Sequence, residues 1–299
     1  FYNMKKQRIC IIGDGLSGLT TAIVLNNLPN IEVHLISKKG PKKQDKRTTA
    51  ISESNFSFLK KNINGLSNKL FWPSKTIDLF YESNHENINF LSLNEKNNNL
   101  MHVFENNKIK NVLLKEIKKK NIKIYSKTIK SLNDLKNYEL TILCLGGSSK
   151  IYDNISKGRS IDKDYREVAI TGFIKHKIKN LKTSQHFLKE GPLAILPFSK
   201  NNFSFVWSLN KDFYKLHIKN IAVIAQNKIL HLLDSKQKIQ ITNIQSYPIK
   251  LELKRNYYNK NTLILGEGLH TIHPVAGQGF NLVLRDIKKL KEILKYYTG

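Results

Sequence analysis

Arg8-Ile9-Cys10-Ile11-Ile12-Gly13-Asp14-Gly15-Leu16-Ser17-Gly18 is the stretch from which the fold is read. A short apolar strand, Arg8 to Gly13, runs straight into a G-x-G-x-x-G turn. In that pattern the first glycine permits the tight turn and the second lets a pyrophosphate approach the backbone. The third lets the following helix pack closely on the strand. The helix runs from Leu16 to Leu28 with Leu19, Ala22, Ile23 and Leu25 inward, and Ile31 to Ile36 forms a second strand. Strand, glycine turn, helix and strand open a parallel βαβ unit, with the helix N-terminus offering free N–H groups to an anion. Dinucleotide binding is the reading, an ordinary βα turn the alternative. The acidic residue that normally ends the second strand and accepts the ribose hydroxyls is missing. Ser37 stands there and makes one hydrogen bond where a carboxylate makes a charged bidentate contact, which weakens binding by ~1–3 kcal/mol.

A second glycine-rich turn lies near the other end. Thr262 to Leu265 is an apolar strand, and a loop follows that carries His270, His273, Pro274, Gly277, Gln278 and Gly279. An amphipathic helix then runs from Gly277 to Tyr296. Gly277 and Gly279 leave bare backbone where that helix begins, and its positive dipole end favours an electron-rich group. The two turns together describe a chain that clasps a dinucleotide from both ends. His270 and His273 stand i, i+3 in a proline-containing loop with no cysteine nearby, which is poor ligand spacing, so no metal site is read. His273 beside Pro274 orients a substrate or relays a proton, or else makes a structural hydrogen bond.

Between these ends the chain changes character. A basic loop (Lys38 to Arg47) leads to a helix from Ile51 to Lys61, a strand from Thr76 to Tyr81 and a polar turn from Asn94 to Asn99. Met101 to Phe104 is a strand, Lys108 to Lys120 a helix, and Ile122 to Tyr125 and Glu139 to Leu145 strands, the last almost wholly apolar and hence central. Val168 to Lys175, Leu193 to Pro197, Phe203 to Leu209 and Ile239 to Tyr247 form a mostly antiparallel sheet, with a helix from Ile218 to Leu233. The fold class is therefore α/β, a Rossmann-like nucleotide domain with an inserted β-rich substrate domain. Residues 1–60, 101–160 and 261–299 make the nucleotide part; 61–100 is an excursion into the substrate domain and 161–260 its β-rich body.

The formal charge of +27 invites a nucleic-acid reading, but only six of the 50 basic residues are arginine, the residue suited to bidentate phosphate and base contacts. The lysines are spread along the chain among asparagine and isoleucine, so no nucleic-acid partner is expected. Peripheral attraction to an anionic membrane surface is. Cys10 and Cys144 sit in apolar runs; they read as buried small hydrophobes without a disulfide, in a reducing, cytoplasmic setting. No apolar run reaches bilayer-spanning length, and Met4-Lys5-Lys6-Gln7-Arg8 reads as a natural start.

At Gly266-Glu267-Gly268-Leu269-His270-Thr271-Ile272-His273-Pro274-Val275-Ala276-Gly277-Gln278-Gly279-Phe280-Asn281 the chain resembles the second flavin fingerprint of the aromatic-ring flavin monooxygenases, and more narrowly the ubiquinone-biosynthesis hydroxylases. Segments agreeing in order are Asp45 to Ser52, His102 to Asn106, Gly191 to Pro197 with Val206-Trp207, and Tyr247-Pro248-Ile249.

The resemblance implies a fold like that of para-hydroxybenzoate hydroxylase, with FAD as cofactor. Gly13, Gly15 and Gly18 would hold the pyrophosphate, Arg47 would reach the isoalloxazine or pyrophosphate region and Asn106 would contact the flavin; a solvated loop cation and a helix N-cap are the alternatives for Arg47 and Asn106. Glu267 would take the place of an aspartate on the ribitol, and the N–H groups of Gly279 and Phe280 would face the pyrimidine edge. Pro274, Gly277, Gln278 and Asn281 would line the reactive side, with His273, Pro274 and Gln278 as the catalytic set. Two departures stand out besides Ser37. The family's middle Asp-Gly appears as Gly146-Gly147, which leaves Arg47 less well fixed, and a further helical segment expected past Tyr297 is missing. The implied activity is hydroxylation of a polyprenylphenol ring in ubiquinone biosynthesis, with NAD(P)H and O2 and through a flavin C4a-hydroperoxide. An assembly with other enzymes of that route is the implied partner, and Phe198, Phe203, Phe205 and Trp207 are available to wall an apolar pocket, although such aromatics are more often plain core. Two rivals stay open: a non-catalytic lipid-binding or scaffold member, and a flavin-dependent isoprenoid reductase, which turnover of O2 would separate.

Overall fold

A computed structural model describes residues 6–38, 40, 44–84, 86–129, 131–135, 137–146, 149–156, 160–235, 239–271 and 279–297. Its first sheet has six strands in the order β15 (Tyr258–Asn259), β16 (Thr262–Ile264), β9 (Leu140–Leu143), β1 (Gln7–Ile12), β2 (Ile31–Ser37) and β8 (Lys123–Ser126). All neighbours are parallel except β15 and β16. Helices α1 (Leu16–Asn26), α3 (Asn106–Lys119) and α7 (Gly279–Tyr297) cover one face, where Ile9, Ile11, Val33, Leu35 and Ile142 are buried. Cys10, Ile12, Ile36, Leu143 and Ile264 point to the other face, against Tyr152 and Ile155 of the short helix α4 (Asp153–Ser156) and the turn before it. Burial on both faces is why these strands read as unbroken apolar runs. Both cysteines are buried and free, and burial pushes their thiols up to about 12.

The second sheet has eight strands in the order β17 (His270–Thr271), β14 (Ile241–Lys254), β10 (Ser160–Lys175), β13 (Asn202–Asn210), β12 (Gly191–Ser199), β11 (Thr183–Leu188), β5 (Thr76–Ser83) and β6 (Glu86–Asn94). Its neighbours are antiparallel except β11 and β5. Helices α5 (Lys211–His217) and α6 (Ile221–Leu232) follow β13, and Ile221, Ala225 and Ile229 of α6 pack over Phe203, Phe205 and Trp207. A small sheet of β3 (Thr48–Ser52), β7 (Met101–Glu105) and β4 (Trp72–Ser74) joins the two halves. Ala50, Met101 and Val103 pack there on Ala194 and Leu196, and the Thr48 hydroxyl bonds that of Ser204.

Several boundaries differ from the sequence reading for local reasons. Helix α2 (Glu53–Asn62) starts after Ser52, not at Ile51, because the Ser52 hydroxyl accepts the Asn55 N–H and caps it. Residues 48–52 ahead of that cap are a strand. The helix expected over Ile218 to Leu233 is α6 (Ile221–Leu232), and a separate short helix, α5, precedes it, starting where Asn210 accepts the Asp212 N–H. Strand β14 continues past Tyr247 to Lys254, absorbing irregular pairing beside Thr171 and Asp164.

Candidate functional site

The glycines of the first turn divide by what surrounds them. Gly13 has φ +117°, and a Cβ there would stand 2.1 Å from the Cys144 carbonyl oxygen. A Cβ on Gly18 would stand 1.9 Å from the Gly13 carbonyl oxygen. Both are required by the protein's own packing. Gly15 is different: its φ is −74°, open to any residue, and a Cβ there would meet nothing within 4 Å. It caps α1 without a side-chain hydrogen bond, so the N-terminal N–H groups face open space. A Cβ on Gly279, the first residue of α7, would likewise meet nothing within 4 Å among the described residues. Gly15 and Gly279 line one cleft of about 350 Å³ between the two large sheets. Two bare helix starts aimed at a shared space suit the pyrophosphate and an electron-rich ring edge of FAD.

The cleft's polar wall is built around Arg47. Its guanidinium donates to Asp45 through both Nε (2.7 Å) and an Nη (2.8 Å), a bidentate pair. The plane also stacks over the Tyr247 ring at 5.2 Å. Its hydrogen bond to the Asp45 carboxylate raises the Arg47 pKa further above its ordinary value. Burial opposes ionisation of the Asp45 carboxyl, but Arg47 and the Asn106 amide outweigh it and hold it below the usual carboxylate range. Asn106 opens α3, is buried, donates to Asp45 at 3.0 Å and accepts the Thr49 hydroxyl at 2.6 Å. It is thus not the helix cap, which is Glu105. The expectation that Gly146 leaves Arg47 poorly fixed is corrected: Asp45, two residues upstream, supplies the carboxylate. Gly146 itself lines the cleft with φ +79°.

Glu267 lies on the exposed rim, on the turn Gly266–Gly268, close enough for its charge to act on Arg47. Phe280 lines the cleft and meets Phe104 edge-on at 6.5 Å. Asn281 does not line it. Its amide donates to the Ala50 carbonyl and accepts from Ser52 N–H and Asn55, tying α7 to β3 and α2 on the side of a separate groove. Ser37 ends β2, buried, and its hydroxyl donates to the Asp14 carboxylate at 3.4 Å. His273, Pro274, Gly277 and Gln278 lie outside the described residues. Of the two readings of the aromatics, the core one holds for Phe203, Phe205 and Trp207, which are fully buried under α6, while Phe198 packs on Phe173 at 4.9 Å. Alternation along the strands sends Ala169, Thr171 and Val206 to the cleft instead. Sequence reasoning assigns Asp45 and Tyr247 no role of their own, since an i, i+2 Asp/Arg pair is common in loops and its bidentate geometry exists only once folded.

No protein-family model matches the chain. It is 24% identical over 375 aligned residues to the mitochondrial ubiquinone biosynthesis monooxygenase of Dictyostelium discoideum, covering 96% of this chain and 76% of that protein. A ubiquinone hydroxylase of Rhodospirillum rubrum matches 44% of the chain at 28% identity, over 31% of its own length. The 3-demethoxyubiquinol 3-hydroxylase of Escherichia coli matches 38% at 30% identity, over 29% of its length. This chain is a relative of the ubiquinone-biosynthesis hydroxylases. Among solved structures, 2-methyl-3-hydroxypyridine-5-carboxylic acid oxygenase superposes with a TM-score of 0.79 at 13% identity, covering 98% of this chain and 84% of that one. The p-nitrophenol 4-monooxygenase of Pseudomonas putida gives 0.77 at 12% identity, covering 97% and 80%. This hydroxylase relative therefore has the α/β fold of the flavin monooxygenases.

Proposed function

We propose that the chain binds FAD in the cleft and hydroxylates the ring of a polyprenylphenol-type intermediate of ubiquinone biosynthesis, drawing electrons from NAD(P)H. The observation that carries this is the pair of bare glycines, Gly15 and Gly279, at two helix starts facing one cleft. The names of the relatives favour oxygenation over a reductase or a scaffold. On this reading residues 1–60, 101–160 and 261–299 hold the cofactor, and 61–100 and 161–260 the substrate. His273, Pro274 and Gln278 serve the reacting face.

Bound FAD would supply the redox chemistry that activates O2. The chain's own residues do the rest. The N–H groups at the start of α1 take the diphosphate charge, and those of Gly279 and Phe280 stabilise negative charge at the ring edge. Arg47, held by Asp45 and Tyr247, presents a fixed positive charge with no reorganisation at the moment of reaction. Burial raises the Tyr247 phenol pKa, so it keeps its proton. Ala169, Thr171 and Val206 leave depth for a planar ring and exclude water behind it. The substrate's own phenol activates its ring, so no strong protein base is demanded.

A greasy substrate also supports contact with a membrane surface or an enzyme assembly. No described helix is long and apolar enough to cross a membrane. Phe90, Phe187 and Tyr81 stand exposed together on the outer strands, on a chain of net charge +27. Function is tested by the visible spectrum of the purified protein after adding FAD and gel filtration. Retained bands near ~370 and ~450 nm, followed by O2-dependent oxidation of a prenylphenol, are expected. A folded protein that emerges colourless sinks the proposal.

A further inference from the structure

We infer that Asp14 supplies the ribose-binding carboxylate that the end of β2 lacks. This rests on the dinucleotide reading above. In a βαβ nucleotide site the pyrophosphate lies at the start of the first helix, and the ribose hydroxyls meet an acidic residue at the end of the second strand. Here that end is Ser37, buried to 1% and carrying one hydroxyl. Strands β1 and β2 run in register to their ends, Ile12 opposite Ile36, and the Gly13 N–H donates to the Ile36 carbonyl at 2.9 Å. Asp14 therefore leaves the turn beside Ser37, and its Oδ2 lies 3.4 Å from the Ser37 hydroxyl.

That contact sets the Asp14 carboxylate beside the end of β2, where the missing acidic side chain would begin. An ionised carboxylate is acceptor-only with room for several donors, so it can accept the Ser37 hydroxyl and both ribose hydroxyls together. Ser37, by donating to Asp14, orients that carboxylate. A glutamate at 37 beside Asp14 would set two negative charges in contact. The acidic group has moved from the strand end to the middle residue of Gly13-Asp14-Gly15.

The assignment is tested by calorimetric titration of the purified protein with ADP and with 2′,3′-dideoxy-ADP, which lacks the ribose hydroxyls. The wild-type chain is expected to prefer ADP by about tenfold or more, the scale of hydrogen bonds to a charged group. Asp14→Ala should remove that preference while leaving the dideoxy affinity and the melting temperature nearly unchanged. Ser37→Ala should reduce the preference in part. The double variant Asp14→Gly with Ser37→Glu, which returns the carboxylate to the strand end, should restore it and so separates the assignment from a failure to fold. If wild type discriminates and Asp14→Ala discriminates equally, the assignment is overturned alone. If wild type binds neither ADP nor FAD, the cofactor reading falls and takes the assignment with it.

Discussion

The two faces of the eight-stranded sheet follow opposite rules. Under α6, Phe203, Phe205 and Trp207 are wholly buried, and the Trp207 indole N–H reaches the Gly191 carbonyl at 3.1 Å. On the opposite face, Val206 of the same strand and Ala169 and Thr171 of the neighbouring β10 present short side chains to the cleft. Period-two alternation thus puts bulk on one face and depth on the other. Stability resides on the packed aromatic face, and binding where helix starts and an anchored cation point at open space.

The largest effect expected from this contrast is on the packed face. Trp207→Ala should cost about 3–5 kcal/mol through the cavity it leaves, read as a large fall in melting temperature. A variant that melts like wild type would break the comparison. Gly15→Val makes the reverse case: its backbone admits any residue and its Cβ meets no protein atom. Melting should be unchanged while FAD affinity falls by about a hundredfold, more than about 2 kcal/mol; a lowered melting point with FAD still bound would place Gly15 with the packing glycines. Asp45→Asn keeps the volume but removes the charge that fixes Arg47, and FAD affinity should weaken about tenfold in fluorescence titration. An unaltered affinity would mean Arg47 needs no anchor.

The smallest effect is on pH. His186 is buried against Phe80, with ring centroids 4.7 Å apart, and burial lowers its pKa from 6.5 to about 4. The unfolded chain takes up the proton first as pH falls, so stability from this site is complete above about 6.5 and drains away toward about 4. Asp45, held below the usual carboxylate range, stays ionised over that window. Denaturant melts should therefore weaken with acid while FAD retention per folded molecule holds. Parallel loss of both would tie the cleft to the titration of the packed strands.

How far the sequence foretold this varies with the kind of interaction. The β1–α1–β2 unit and the apolar strand before Cys144 are legible because their signals are local, glycine spacing and burial on both faces. Strand β6 is not, since nearly all its residues are exposed and no alternation marks it. Strand β3 is missed because five residues ending in a helix cap look like the helix itself. At the site, Gly15 and Gly279 are legible as glycines in turns. The Asp45–Arg47 clamp and the Asp14–Ser37 contact depend on side chains that only the folded backbone brings together. The aromatics of β13 suit a core or a pocket by residue type, and only strand register decides between the two.

The neighbours of β1 have a consequence for how the chain is made. It pairs with β2 at once, but its other edge is covered by β9 from Leu140, whose own far edge waits for β16 from Thr262. At ~5–20 residues per second of synthesis, each exposed edge persists for many seconds, a template for unwanted pairing in a nascent chain. Gly279 emerges later still, on α7. A cofactor can therefore serve as a clasp on strands already paired, not as a seed around which the first strands assemble, and supplying it early in translation should rescue little misfolding.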